Sequence, residues 1–353
     1  MEVRMMNEMS LQEAEEFILA LGNDVATFLV GEPGVGKTAM FERIVEKTGF
    51  RGVYMDTPNL ELGEIGIPMP NHETKTTTLY PNEAWGFHMN EPMVIFIDEF
   101  TKPSSQAVQN MLHPLLNERR IANFKLHPDS IVICAGNNAT DGVGDVLKSH
   151  SINRITIAPV RKPTWEEYVD YGTQNNYAPE VLAWVKAFPQ VMASYRDPSQ
   201  SDNPYIFQPK TPQRSFFSPR SGYRASKIIK KREFISRNSL LTGLIGTIGE
   251  SAARDLLAYV EVADTLPTWD EVMANPKTAA VPNSPAALCI MAYGALQRID
   301  RGNINKWFEY IKRTPTELQS VFCLNAAKHP EKKQIVVTCS GFVDWMREHQ
   351  YLF

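Results

Sequence analysis

Residues Gly31-Glu32-Pro33-Gly34-Val35-Gly36-Lys37-Thr38 satisfy G-x-x-x-x-G-K-[ST] at every fixed position. An apolar run from Ala26 to Val30 precedes them and reads as a buried strand. Ala39-Met40-Phe41-Glu42-Arg43-Ile44-Val45-Glu46-Lys47 follows, with apolar residues at helical spacing. Strand, glycine-rich loop and helix in that order turn a pattern match into a phosphate site. Gly31, Gly34 and Gly36 let the backbone curl until successive N–H groups point inward at phosphate oxygens. The positive end of the next helix reinforces that field. Lys37 is then placed to reach the β- and γ-phosphates, and the Thr38 hydroxyl to ligate Mg²⁺. Glu32, Pro33, Val35 and Ala39 complete the expected nucleotide-contacting segment. The competing reading, a turn that happens to end in Lys-Thr, does not explain the flanking strand and helix. A nucleoside triphosphate is the expected ligand.

A second set of residues supplies the chemistry such a ligand needs. Met93-Val94-Ile95-Phe96-Ile97-Asp98-Glu99-Phe100 is an apolar run closed by two acids, which suits a parallel strand buried on both faces. Asp98 is expected to hold Mg²⁺ through a water, complementing Thr38. Glu99 is expected to polarise the water that attacks the γ-phosphate. An acid pair ending a strand is often there only for solubility; downstream of this loop it reads as catalytic. Asn137 follows another buried run, Asp129 to Ala135, and a neutral amide there can bond the γ-phosphate or orient the water. A simple Asn137-Asn138 turn is the alternative, with Asn138 the weaker candidate. Arg154, opening a short expected strand from Arg154 to Ile157, is a candidate arginine finger of the kind a neighbouring subunit supplies. A surface salt bridge would be its ordinary role. Arg220, after Ser218-Pro219, opens a helix on which Arg224, Lys227 and Lys231 share its face. Arg220 is the candidate phosphate contact, and the others face solvent, a partner or, as a minor reading, DNA.

Composition narrows the alternatives. A chain of 353 residues accommodates two domains, or one with a large appendage. Its 43% hydrophobic and 22% charged content is ordinary for a soluble globular protein. A formal net charge of −4 argues weakly against a dedicated nucleic-acid binder. The four cysteines and seven histidines are dispersed, without metal-ligand spacing, so neither a zinc site nor a disulfide framework is expected. The N-terminal stretch lacks the apolar centre of a signal peptide, and the longest apolar stretches, Leu240 to Ile248 and Pro285 to Leu296, are too short to cross a bilayer. A cytoplasmic protein without membrane insertion is expected.

Along the chain, Ser10 and Glu13 resemble a capping box opening a first helix. Val53 to Asp56 reads as a second strand. Thr57 to Asn90 reads as an excursion containing a hairpin. Ser104 to Glu118 and Val146 to Ser149 are helix-compatible. Alternating strands and helices imply a parallel sheet with helices on both faces, an α/β architecture. Beyond Pro159 the texture becomes helical. Thr164 caps one helix, and Pro189 to Ser218 reads as an extended loop. Helices are expected over Leu240–Val262, Pro285–Arg298, Ile304–Lys312, Glu317–Ala327 and Gly341–Gln350.

GEPGVGKT, VIFIDEF, ICAGN, INRIT and FSPRSG occur in the order and spacing of AAA+ ATPases, and the chain resembles the MoxR-type branch, near the dynein-related group. LGEIGIPMP (Leu62–Pro70) and LLNERRI (Leu115–Ile121) carry the narrower resemblance, which covers roughly residues 20 to 235 and extends more loosely over the helical tail. The resemblance implies a P-loop NTPase fold with a parallel 5-1-4-3-2 sheet, β-hairpin inserts, an α-helical lid and a helical C-terminal extension. It implies a nucleotide-binding domain over 1–159, a lid over 160–235 and an extension over 236–353. Lys37 and Thr38 become Walker A residues, and Asp98 and Glu99 Walker B. Asn137 becomes sensor 1, Arg154 the trans arginine finger and Arg220 sensor 2. Thr57 to Asn90 and Glu118 to Pro128 would be the hairpin inserts. Two departures stand out: Asn138-Ala139 follow Asn137 where many relatives have proline, and Ile155 follows Arg154 where phenylalanine is usual. Family members hydrolyse ATP with Mg²⁺, assemble as rings, usually hexamers, and often remodel proteins together with a von Willebrand factor A-domain partner. An ATP-driven remodeller is therefore the leading expectation, and a DNA- or RNA-stimulated motor or loader the alternative.

Overall fold

The computed structural model describes residues 7–137 and 153–352, and the chain divides into two compact units, Met1–Lys162 and Pro163–Phe353. The expected helix at Val146–Ser149 and the residue Asn138 lie outside the described residues.

In the first unit, α1 (Leu11–Leu21) opens with the expected capping box. The Ser10 hydroxyl accepts from the Glu13 N–H at 3.1 Å, and the Glu13 carboxylate accepts from the Ser10 N–H at 2.7 Å. There follow β1 (Thr27–Val30), α2 (Lys37–Thr48), β2 (Arg51–Asp56), α3 (Leu62–Ile65) and the hairpin β3 (Gly66–Asn71) with β4 (Thr76–Pro81). The unit continues through β5 (Met93–Asp98), α4 (Gln106–Asn117), a short hairpin β6 (Arg120–Ile121) with β7 (Phe124–Lys125), β8 (Ile131–Gly136) and β9 (Thr156–Pro159).

Among the described residues, five strands form one parallel sheet in the order β2-β5-β8-β1-β9. Numbered by appearance within that sheet and counted from the β9 edge, this is the expected 5-1-4-3-2 order. Each strand carries apolar residues on both faces because helices cover both. On one face Leu29, Val94, Phe96, Ile133 and Ala135 pack against Ala14 and Ile18 of α1 and Met40, Phe41 and Ile44 of α2. On the other, Phe28, Val53, Met55, Ile95, Ile97, Val132 and Cys134 pack against Val108, Leu112, Leu115 and Leu116 of α4. The buried carboxylate of Glu15 fastens α1 to α2 through Arg43 at 2.5 Å and Lys47 at 2.6 Å. Both hairpins fall inside the segments read as inserts.

The last strand begins at Thr156, not at Arg154. Among the described residues its sheet neighbour is β1, whose four residues pair Thr27 with Thr156 and Val30 with Pro159, and Arg154 lies outside that register. Arg154 lies in the turn that leads in.

The second unit is helical among its described residues: α5 (Trp165–Gln174), α6 (Pro179–Ala187), α7 (Pro219–Ile229), α8 (Arg237–Ile248), α9 (Glu250–Ala263), α10 (Trp269–Ala274), α11 (Pro285–Arg298), α12 (Ile304–Ile311), α13 (Thr316–Lys328), α14 (Lys332–Val336) and α15 (Ser340–Glu348). They share one continuous core, in which Trp184, Phe217, Tyr293, Trp307, Tyr310 and Phe322 are fully buried. Capping boxes at Thr164, Ser218 and Thr268 start α5, α7 and α10.

Three expectations need correction here. The continuous helix over Leu240–Val262 is two helices, broken at Gly249, whose φ of +88° suits glycine and whose Cα runs close to the Ser215 carbonyl. The basic face from Arg220 stops early: α7 ends at Ile229, and Lys231 lies beyond it, as the N-cap of the 3-10 turn Arg232–Phe234. Lys227 instead lies over the Tyr223 ring at 4.4 Å. Between Pro189 and Ser218 the expected loop contains short 3-10 turns at Pro189–Met192 and Pro198–Gln200.

Candidate nucleotide site

β5, β8 and β1 are adjacent and parallel, so their carboxyl ends deliver three segments to one place. Brief crevices beyond such strand ends are where open α/β sheets bind ligands. From β1 comes the glycine-rich loop. Gly34 and Gly36 take φ of +77° and +121°, conformations that side chains resist. α2 then begins at Lys37 itself, with Gly36 as its N-cap. A helix that begins inside the loop brings its first-turn N–H groups, which have no intrahelical partner, to the phosphate-binding segment.

Lys37 is 8% exposed, and its ammonium donates to the Gly31 carbonyl at 3.0 Å, the Glu32 carbonyl at 3.4 Å and Asn137 Oδ1 at 3.2 Å. Asn137, immediately after β8, donates in turn from Nδ2 to Glu99 Oε1 at 2.9 Å. Residues far apart in the chain thus form one hydrogen-bonded line, Lys37 to Asn137 to Glu99. Glu99 Oε2 is buried and has no hydrogen-bond partner among the described residues. One carboxylate oxygen is positioned by the amide, and the other remains to accept a proton.

Glu99 carries a second signature. Its φ is +49°, left-handed for a side-chain-bearing residue, a conformation that costs on the order of 1 kcal/mol. Surrounding hydrogen bonds hold it there. The Thr57 hydroxyl donates to the Glu99 carbonyl at 2.7 Å and lies 2.9 Å from the Asp98 carbonyl, while the Phe100 N–H donates to Ala135 O at 2.9 Å. Thr57 is fully buried. Asp98 accepts at Oδ2 from the Tyr54 hydroxyl at 2.7 Å and at Oδ1 from the Glu99 N–H at 3.0 Å. Tyr54 reaches it because β2 pairs Tyr54 with Phe96, and the two rings stack 5.8 Å apart.

Glu32 is buried within the loop. Burial pushes the Lys162 ammonium down to about 8, against the opposing pull of Glu32. Thr38 is half-buried on the first turn of α2. The donor set fits a magnesium-bound triphosphate: a loop lined with N–H groups, an ammonium, a hydroxyl, and a carboxylate fixed by Tyr54. Thr38 and Asp98 would hold the ion.

Of the two anticipated arginines, one lies in this unit outside the network and the other belongs to the second unit. Arg154 Nη1 lies 3.5 Å from His113 Nδ1, with His113 stacked on Phe100, and makes no hydrogen bond to Lys37, Asp98, Glu99 or Asn137 among the described residues. Arg220 belongs to the helical unit, exposed in the first turn of α7 after the Ser218 cap. Tyr54 and Thr57 were not singled out from the sequence. Their signal is the strand register, visible only once β2 and β5 are paired. Among the described residues no cluster of His, Cys, Asp and Glu is arranged to hold a metal by itself, and no helix is long and apolar enough to cross a membrane.

Residues 26–142 match the family model for the AAA domain (dynein-related subfamily). No curated protein matches the chain. Among solved structures it is similar to the Thermotoga maritima RuvB Holliday junction branch migration motor, at 14% identity over 86% of each chain, with a TM-score of 0.35. A point mutant of the same protein aligns at 15% identity over 87% of this chain and 91% of that one, with a TM-score of 0.37. The family match spans the glycine-rich loop, the acid pair and Asn137, and the sheet has the strand order of the AAA+ P-loop fold. The stretch from residue 26 to 142, which carries the site, is thus the part of the chain that is similar to the AAA domain of the dynein-related subfamily.

Proposed function

We propose that this chain is an ATP-hydrolysing ring ATPase, of MoxR-like character, that remodels or assembles a protein partner. The observation that carries the reading is the Lys37–Asn137–Glu99 line ending in a buried carboxylate oxygen that has no partner among the described residues. Lys37 binds the β- and γ-phosphates, and the loop N–H groups from Gly31 to Ala39 cradle them. Thr38 and Asp98 would hold Mg²⁺, which would offset phosphate charge. Glu99 Oε2 takes the proton of the attacking water, and the Asn137 amide keeps the carboxylate turned toward it. Because Asn137 touches both Lys37 and Glu99, it links phosphate occupancy to the position of the base.

Arg154 acts as a finger from the neighbouring subunit and Arg220 as a phosphate contact from the lid. This requires a ring, for which a hexamer is the family's usual form. Residues 1–159, 160–235 and 236–353 serve as nucleotide-binding domain, lid and extension. A von Willebrand factor A-domain protein is the proposed partner and the cytoplasm the proposed setting. A nucleic-acid-stimulated motor is the weaker alternative, because the basic face it relied on ends with α7 and loses Lys231.

The test is complementation. Arg154→Ala alone is expected to lose at least about 100-fold in ATP turnover while retaining nucleotide affinity. Mixed with Lys37→Ala subunits it should regain measurable turnover, since one interface then holds an intact site. Absence of rescue, with wild-type controls active, would remove the trans assignment.

A further inference from the structure

The helical unit contains a cavity of about 540 Å³ that the nucleotide reading leaves unused. Its size lies in the range of ligand pockets. Leu266, Pro267, Val272, Ile290 and Met291 form an apolar lining, together with Trp269 and Trp307, whose rings lie 5.7 Å apart.

Three features distinguish it from a packing defect. First, Trp307 is 1% exposed, and its Nε1 is a buried donor without an acceptor among the described residues. Buried indole N–H groups ordinarily find a partner. Second, Gly294, inside α11, also lines the cavity. A Cβ there would meet nothing closer than Pro179 Cγ at 3.7 Å, so no backbone approach demands glycine. Glycine inside a helix is a poor choice, and here it keeps the space open. Third, the charges are unbalanced. Arg232 satisfies both acids of the lining, at 3.0 Å from Glu180 and 2.8 Å from Asp264. Lys230 donates only to the neutral Asn176 carbonyl, and Arg298, exposed at the end of α11, has no ion-pair partner among the described residues. Both cations are lining residues.

We propose that this cavity is a docking site for a peptide segment of a partner protein, in which a bulky aromatic side chain is flanked by acidic residues. The aromatic group fills the space beside Trp269 and Trp307. The flanking carboxylates pair with Lys230 and Arg298. An apolar centre ringed by exposed charged groups is the arrangement that anchors one side chain and leaves the connecting backbone outside.

Fluorescence anisotropy on the full chain without nucleotide tests this, so the result is independent of ATP hydrolysis. The probes are a fluorescein-labelled pentapeptide with tryptophan between acidic residues, its counterpart with basic residues, and indole-3-acetate as a competitor. The acidic peptide is expected to bind at least about tenfold more tightly than the basic one. Gly294→Leu should weaken it at least tenfold with an undiminished thermal midpoint, and Arg298→Glu should shrink the charge preference. Equal binding of the two peptides, unsaturable binding of the acidic one, or indifference to both substitutions overturns the proposal. Indole-3-acetate matching the peptide in affinity would overturn the peptide assignment in favour of a small ligand.

Discussion

The two units gather their side chains around different things, one around linked polar groups at strand ends and the other around aromatic rings. In the first, polar groups near the strand ends engage one another: Lys37, Asn137, Glu99, Asp98, Tyr54 and Thr57 are joined by hydrogen bonds, and Glu99 Oε2 has no partner among the described residues. In the second, aromatic residues dominate a large apolar core, and the buried polar atoms of Tyr168, Trp184 and Trp307 have no partners among the described residues. A parallel sheet explains the first pattern, because every strand ends at the same edge and places its next residue beside its neighbours'. Helices packed on one another have no such common edge, so functional space arises between them, as the cavity beside α11 illustrates. Chemistry concentrates where backbone geometry repeats, and recognition surfaces form where packing is incomplete.

If that contrast is right, substitutions should fall in a definite order. Glu99→Gln removes the proton acceptor but retains the Asn137 contact, and should lower ATP turnover by about 100-fold or more with nucleotide affinity retained. Single-turnover hydrolysis beside equilibrium nucleotide binding measures this, and near-normal turnover would break the assignment of the base. Tyr54→Phe deletes the hydroxyl that holds Asp98 and keeps the ring stack on Phe96. A drop of about threefold to tenfold is expected, consistent with the ~0.5–1.5 kcal/mol of a typical hydrogen bond, because Tyr54 is solvent-exposed. The loss should shrink at high Mg²⁺, since a mispositioned carboxylate costs metal affinity; a magnesium-independent loss would indicate a merely structural role.

The smallest effect belongs to the helical unit. His329 accepts at Nδ1 from the Glu331 N–H at 3.3 Å and the Lys332 N–H at 3.4 Å, which requires that nitrogen to be unprotonated. Burial, with Lys332 adding to it, lowers its pKa below the ordinary imidazole value. The unfolded chain therefore binds the proton first as pH falls below about 6.5, and this contribution to stability is present above that pH and lost beneath it. His329→Asn keeps an acceptor and removes the titration. Urea midpoints at pH 7.5 and 5.5 should differ less in the variant than in the wild type, and equal differences would show that other groups set the acid sensitivity.

How much was legible beforehand varies with the physical cause. The glycine-rich loop, the acid pair and the apolar strands are local: their spacing alone implies the elements, and the hairpin inserts and Pro285–Arg298 helix appear where the pattern places them. Arg154 was assigned to a strand because Arg-Ile-Thr-Ile alternates, yet β1 is too short to pair it. The break at Gly249 was overlooked because apolar periodicity runs through it, and the short helices α10 and α14 carry too few turns for a periodic signal.

By itself the sequence determined that a strand, a phosphate-cradling loop and a helix occur in that order, and that acids and an amide terminate later strands, because each depends on neighbours along the chain. Only the tertiary structure decided that Asn137 bridges Lys37 and Glu99, that Tyr54 secures Asp98, and that a cavity opens beside Gly294. Those depend on which strands pair and which helices pack, and pairing is a property of the whole chain's burial, not of any one segment.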